Sequence, residues 1–215
     1  MTKPILPTFD ISLLPEVKSQ ETLIAGVDEV GRGALFGPVA AGAVIIPVSA
    51  LPQLTALGVK DSKQLSPKKR SELAAQIKAM ALDFHVSFAT VMDIDRINIL
   101  QASLLAMYRA VAKLKVEAAV CLVDGKQPIP NLAIRQENIV RGDERSPVIA
   151  AASILAKVWR DQLIVRLARK YPHYDLIANK GYGTIRHREA LLKYGPSPQH
   201  RLSFRPCQKS LSINN

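Results

Sequence analysis

Apolar and polar positions alternate along this chain in segments of two kinds. Thr22 to Val27 (TLIAGV) is a short apolar run that stops at Asp28-Glu29, the pattern of a buried strand with acids at its C-terminal end. Val39 to Val48 (VAAGAVIIPV) is β-branched and apolar and predicts the next strand. The short glycine-rich link between them favours antiparallel pairing. Phe84 to Val91 alternates and predicts a third strand, Ala118 to Val123 (AAVCLV) a central one ending at Asp124, and Ala133 to Val140 a weaker one.

The other segments have helical spacing. Ser66-Pro67 opens a helix with a serine cap and proline in its first turn. Ile94 to Lys115 keeps Ile97, Leu100, Leu104, Met107, Val111 and Leu114 on one face and predicts a long amphipathic helix. Ser146-Pro147 opens another, whose alanine-rich first turns suit close packing on a sheet. Thr184 to Lys193 predicts a short helix, whereas NKGYGT (179–184) and the basic GPSPQHRLSFRP segment predict loops. Residues 1–20, with Pro4, Pro7 and Pro15, predict an irregular arm. Strands that precede and then alternate with helices indicate an α/β fold with a mixed sheet.

Composition adds the charge. The 215 residues include 29 Lys and Arg against 18 Asp and Glu, a net +11. From Arg141 onward there are 14 basic and 5 acidic residues. A basic C-terminal third suits a polyanion such as nucleic acid, although a basic protein without such a partner has the same balance. The uncharged run from Gly33 to Val59 is long enough for a membrane span, but Pro38, Pro47 and Pro52 argue against a single helix. With no basic and apolar leader in the first twenty residues, a cytoplasmic protein without membrane attachment is expected. Cys121 and Cys207 form neither a disulfide framework nor a zinc pattern.

Candidate chemistry lies in the acids. Asp28 and Glu29 end one strand, Asp124 ends the central strand, and Asp143 precedes the alanine-rich helix. Each singly is ordinary for a turn or a helix entrance. Sites in α/β sheets form beyond the C-terminal strand ends, where the four could converge. Clustered carboxylates without paired His or Cys suit Mg²⁺ or Mn²⁺ rather than zinc. Neighbouring strand residues face opposite ways, so Asp28 and Glu29 should share a site only if the strand ends or bulges there. Gly31-Arg32-Gly33 fails the G-x-G-x-x-G pattern but lets backbone approach a nucleic-acid strand, with Arg32 available for a phosphate. Lys63 belongs to a basic cluster that is ordinarily just solvated. Tyr182, on a flexible glycine loop with little packing role, suits stacking on a sugar or base. His200 and Arg201 are candidates for phosphate contact. Neither a G-x-S-x-G elbow nor a histidine metal spacing occurs.

GVDEVGRG (26–33), DSKQLS (61–66), VDG (123–125), GDERSPVIAAASILAKVWRD (142–161), NKGYGT (179–184) and HRLSF (200–204) together resemble bacterial ribonuclease HII, over roughly Ile24 to Pro206. The resemblance implies a ribonuclease-H-like mixed sheet flanked by helices, in a catalytic domain over 21–215 with a small helical C-terminal region from about residue 171. It implies hydrolysis of RNA in RNA–DNA hybrids, and cleavage 5′ of single ribonucleotides in duplex DNA to leave 3′-hydroxyl and 5′-phosphate ends. Two Mg²⁺ or Mn²⁺ ions would act on Asp28, Glu29, Asp124 and Asp143. Gly31, Arg32 and Gly33 would sense the 2′-hydroxyl, and Tyr182 the RNA–DNA junction. Val30, Ala34 and Phe36 depart from the family's commoner alanine, proline and alanine. Glu144 replaces a small residue and places an extra acid beside the site. A monomer is the default expectation, and the tail after Pro206 carries no firm signal for a peptide that binds a replication clamp. Two rivals stand beside this reading: a nucleic-acid-binding protein whose acids merely cap elements, and a metal nuclease of the same fold that cuts branched DNA.

Overall fold

The computed structural model describes residues 7–59 and 65–214, with side chains through residue 211. Five strands form one sheet: β1 (Leu23–Val30), β2 (Val39–Pro47), β3 (Asp83–Ala89), β4 (Val120–Asp124) and β5 (Gln136–Ile139), in the spatial order β3-β2-β1-β4-β5. β1 to β3 pair antiparallel, while β4 and β5 lie parallel to β1. The mixed sheet and the antiparallel β1–β2 hairpin agree with the sequence pattern.

The helices are α1 (Leu51–Ala56), α2 (Pro67–Met80), α3 (Val91–Val111), α4 (Gly142–Arg145), α5 (Pro147–Ala168), α6 (Leu176–Asn179), α7 (Ile185–Tyr194) and α8 (Arg205–Asn214). Alternation along each strand sorts the core into two layers. Ile24, Val44, Ile46 and Leu122 pack with Leu73, Ile77 and the start of α5 on one face. Ala25, Val27, Ile45, Cys121 and Val123 pack with α3 on the other. A third cluster joins Phe36 and Ile164 to Tyr174, Leu191 and Cys207 of the C-terminal helices.

α5 lies very close to the sheet. A Cβ on Gly42 would sit 2.4 Å from the carbonyl oxygen of Ala152, so glycine is needed there and the alanines set the spacing. Ser66 and Ser146 cap α2 and α5 as their Ser-Pro pairs predict. The uncharged run from Gly33 to Val59 becomes a loop, β2 and a short helix, and no helix among the described residues is long and apolar enough to cross a membrane.

Two element expectations need correction. The helix predicted over Ile94 to Lys115 starts earlier, at Val91, ends at Val111, and is broken at Asn98 (φ 67°, ψ 167°). A Thr90–Asp93 capping box starts it inside the predicted third strand, and the Asn98 carboxamide oxygen accepts the amides of Leu100 and Gln101, restarting the helix. The loop predicted over GPSPQHRLSFRP ends two residues early: α8 starts at Arg205, with Pro206 in its first turn, where its missing amide costs nothing.

Candidate active site

The site lies at the C-terminal ends of β1 and β4. By alternation Asp28 and Asp124 fall on the α5 face, in line with Ile24 and Leu122. Parallel pairing of the two strands stops at Val27↔Val123, so these acids stand one step beyond the last paired position. Glu29 starts on the opposite face. The expected strand end or bulge is absent: β1 continues to Val30 with its β2 register unbroken through Val30↔Ala40. What ends is β4, and the longer glutamate side chain reaches round the open end. Oxygen atoms of Asp28, Glu29 and Asp124 thereby lie within 4.8 Å of one another.

Asp143 stands beside this tight group rather than inside it. It is buried in α4, and its charge acts on both Asp28 and Asp124. The chain enters α4 through Arg141, a non-glycine residue in the left-handed region (φ 56°). Asp124 Oδ1 accepts the Gly142 amide at 2.6 Å, which ties α4 to β4. Glu144, the extra acid, is ion-paired to Arg141 and lies outside the carboxylate group.

Burial and like charge dominate the electrostatics. The Asp28 carboxyl, 4% exposed, is held well above the ordinary carboxylate range by burial first, then by Glu29, Asp124 and Asp143, against a hydrogen bond from Ser153. Burial also raises Glu29, opposed by Arg32, whose Nη1 lies 3.2 Å from Glu29 Oε1. Burial and then Asp143 raise Asp124, opposed by the Gly142 amide. Three carboxylates that resist ionising together, with a half-exposed arginine as counter-cation, form an all-oxygen donor set that fits a divalent cation.

The glycine turn follows directly. Gly31 has φ 91°, and a Cβ on it would lie 2.1 Å from Nε of Arg160. Gly33 instead faces open space, with nothing within 4 Å of where its Cβ would be. Two buried arginines hold this loop by its carbonyls. Arg160 donates to Pro38, Phe36 and Lys180, each at 3.0 Å. Arg201 donates to Gly37 at 3.0 Å and to Arg32 at 2.7 Å.

That geometry corrects three readings. Arg201 is 0% exposed and His200 is 1% exposed, so both support the loop from within rather than meeting phosphates at the surface. His200 bonds His187 Nε2 at 3.0 Å and packs edge-on against Phe36. The Tyr182 loop is also pinned: the Gly181 carbonyl accepts from Leu35 and Phe36, and Tyr182 bridges to Ala34. The Tyr182 ring packs under Lys157 and Arg160, with Lys157 Nζ 5.4 Å from its centroid. Phe36 anchors the loop in the C-terminal core. Lys63 lies outside the described residues.

Ser153, Lys157 and Arg160 were not singled out from sequence. One signal was there: apolar residues recur every four positions along one row of α5 (Val148, Ala152, Ala156, Ile164, Ala168), and Arg160 occupies the missing place in that row.

Comparison with known proteins decides the family. The model for ribonuclease HII matches residues 25–207. The chain belongs to the ribonuclease HII family. It is 60% identical to the ribonuclease HII of Trichormus variabilis over 92% of this chain and 88% of that one. It is 62% identical to the ribonuclease HII of Acaryochloris marina, over 87% and 95%. The crystal structure of ribonuclease H2 from Pyrococcus horikoshii superposes with a TM-score of 0.77 at 28% identity, covering 89% of this chain and 98% of that one. The fold is therefore ribonuclease-H-like, and the chain is a type II ribonuclease H, a hydrolase of the RNA strand in RNA–DNA hybrids.

Proposed function

We propose that this ribonuclease HII also cuts on the 5′ side of single ribonucleotides embedded in duplex DNA, leaving 3′-hydroxyl and 5′-phosphate ends, and so serves ribonucleotide removal. The observation that carries this is the junction of the three-carboxylate group with an open glycine turn and a fixed tyrosine. Asp28 and Asp124 would hold the cations, and Glu29 and Asp143 would complete the donor set. Two divalent cations, Mg²⁺ or Mn²⁺, would supply activation of the attacking water and stabilisation of the departing 3′-oxygen.

The remaining roles belong to the chain. The open side of Gly33 admits a ribose edge, where backbone groups of Gly31, Arg32 and Gly33 can hydrogen-bond the 2′-hydroxyl that DNA lacks. Arg32, half exposed, meets a phosphate. Tyr182, held under two cations, stacks beneath the neighbouring sugar. Arg160 and Arg201 keep the loop in place for this reading.

The test is a DNA duplex carrying one ribonucleotide, incubated with Mg²⁺ or Mn²⁺ and then with EDTA. A metal-dependent cut immediately 5′ of the ribonucleotide is expected. Failure to cut this duplex by folded protein that still cleaves a continuous hybrid would remove the single-ribonucleotide activity.

A further inference from the structure

The site leaves a second group of aromatic side chains unused. Phe88, near the end of β3, is 41% exposed, although it stacks on Trp159 of α5 with ring centroids 5.5 Å apart at 22°. Trp159 packs in turn on Val30 and Ala40. The register places this pair: Phe88 is opposite Ala40, and Ala40 is opposite Val30, the residue after Glu29. β3 runs in the direction of β1, so the pair sits at the same end of the sheet as the carboxylates, two strand spacings or about 10 Å away. Phe84 and Met92 are also exposed along this edge.

The surroundings are basic but not bare. Arg109 donates to the Phe88 carbonyl at 2.9 Å and shares Asp93 with the exposed Arg96. Lys157 pairs with Asp161, and Lys78 lies over the Phe84 ring. Residues 157–160 of α5 link the two aromatic groups. Lys157 and Arg160 meet Tyr182 on one side, and Trp159 meets Phe88 on the other.

We propose that the Phe88–Trp159 pair is a docking platform for the sugar–phosphate backbone of the substrate duplex that flanks the cut, which carries the nucleic-acid surface from Tyr182 across α5 to the sheet edge. The proposal rests on the ribonuclease reading. Its occupant follows from continuity with the carboxylate site and from the chain's net +11 beside a dense row of phosphates. An exposed aromatic surface suits a duplex backbone irrespective of sequence, because every nucleotide presents the same sugar C–H face there.

Trp159 is the single tryptophan, so its emission reports on the platform. In EDTA, titration of the chain with a duplex carrying one ribonucleotide is expected to change that emission, with the midpoint found by anisotropy of the labelled duplex. Phe88→Ala is expected to raise KM about fivefold or more on long duplexes. It should leave kcat near the wild-type value, and the KM effect should vanish on duplexes trimmed close to the cut. Phe88→Tyr should restore the wild-type KM. Unaltered tryptophan emission on bound duplex, or an unchanged KM for folded Phe88→Ala at every length, overturns the proposal and leaves the ribonuclease reading standing. Wild-type protein that binds but cleaves no ribose-containing substrate overturns that reading instead.

Discussion

Asp28 combines the two effects that most oppose ionisation, burial and neighbouring like charge. Its raised pKa means that the folded, metal-free chain is penalised at neutral pH. The penalty fades as pH falls through the folded pKa and is gone below the ordinary carboxylate value. Asp28→Asn should therefore abolish cleavage yet raise the Tm of metal-free protein near pH 7, by about 2–4 °C for each ~1 kcal/mol relieved in a chain of this size. The gain should shrink on acidification. Wild type should instead gain about 2.7 kcal/mol from Mg²⁺ or Mn²⁺ at roughly one hundred times Kd, and the variant much less, as read by thermal denaturation with and without the ion. Arg160 works in the opposite sense. Arg160→Leu would strand the carbonyls of Phe36, Pro38 and Lys180, at about 1–3 kcal/mol for each group left unpaired. A large fall in denaturant midpoint, only partly restored by Arg160→Lys, is the expected result.

At the scale of elements, the close approach of α5 to β2 is the most exacting contact. Gly42→Val would push side-chain carbons into the Ala152 carbonyl, a clash between two backbones with no flexible side chain to yield. Loss of about 3 kcal/mol or more is expected from chemical denaturation, with misplacement of Ser153 lowering activity in whatever folds. Elements bounded by local chemistry were legible in the sequence. Ser66-Pro67 and Ser146-Pro147 mark helix starts because the cap and the ring conformation act within a few residues. The Asn98 break was not legible, because Ile97 and Leu104 keep helical spacing across it and the carboxamide cap competes silently with the ladder. At the site, acids at two strand ends pointed to the group formed by Asp28, Glu29 and Asp124, and an acid at a helix entrance to Asp143 beside it. The burial of His200 and Arg201 was hidden, since their partners Phe36, Gly37 and Arg32 lie more than a hundred positions away and a basic dipeptide in a turn-rich tail looks exposed.

Over the whole molecule, the C-terminal helices meet the loop after β1 around the His187–His200 pair, with His200 packed edge-on against Phe36. Burial depresses both imidazoles, and His187 helps push His200 down to about 3. The folded state thus favours neutral rings, so the stability they confer is present above about pH 6.5, the unfolded value, and is lost as pH falls toward the folded pKa. Tm should decline below pH 6.5, opposite in sign to the relief at Asp28, and His200→Gln should flatten that decline. The same attachment orders events during synthesis. Asp28, Glu29, Asp124 and Asp143 are all made early, but the guanidinium that grips the Arg32 carbonyl lies 169 positions after it. A growing chain therefore carries every acid of its site well before it can fix the turn beside them. A nascent or truncated product ending ahead of Arg201 would hold the acids without the grip, so the turn proposed to meet the ribose would be left unfixed beside them.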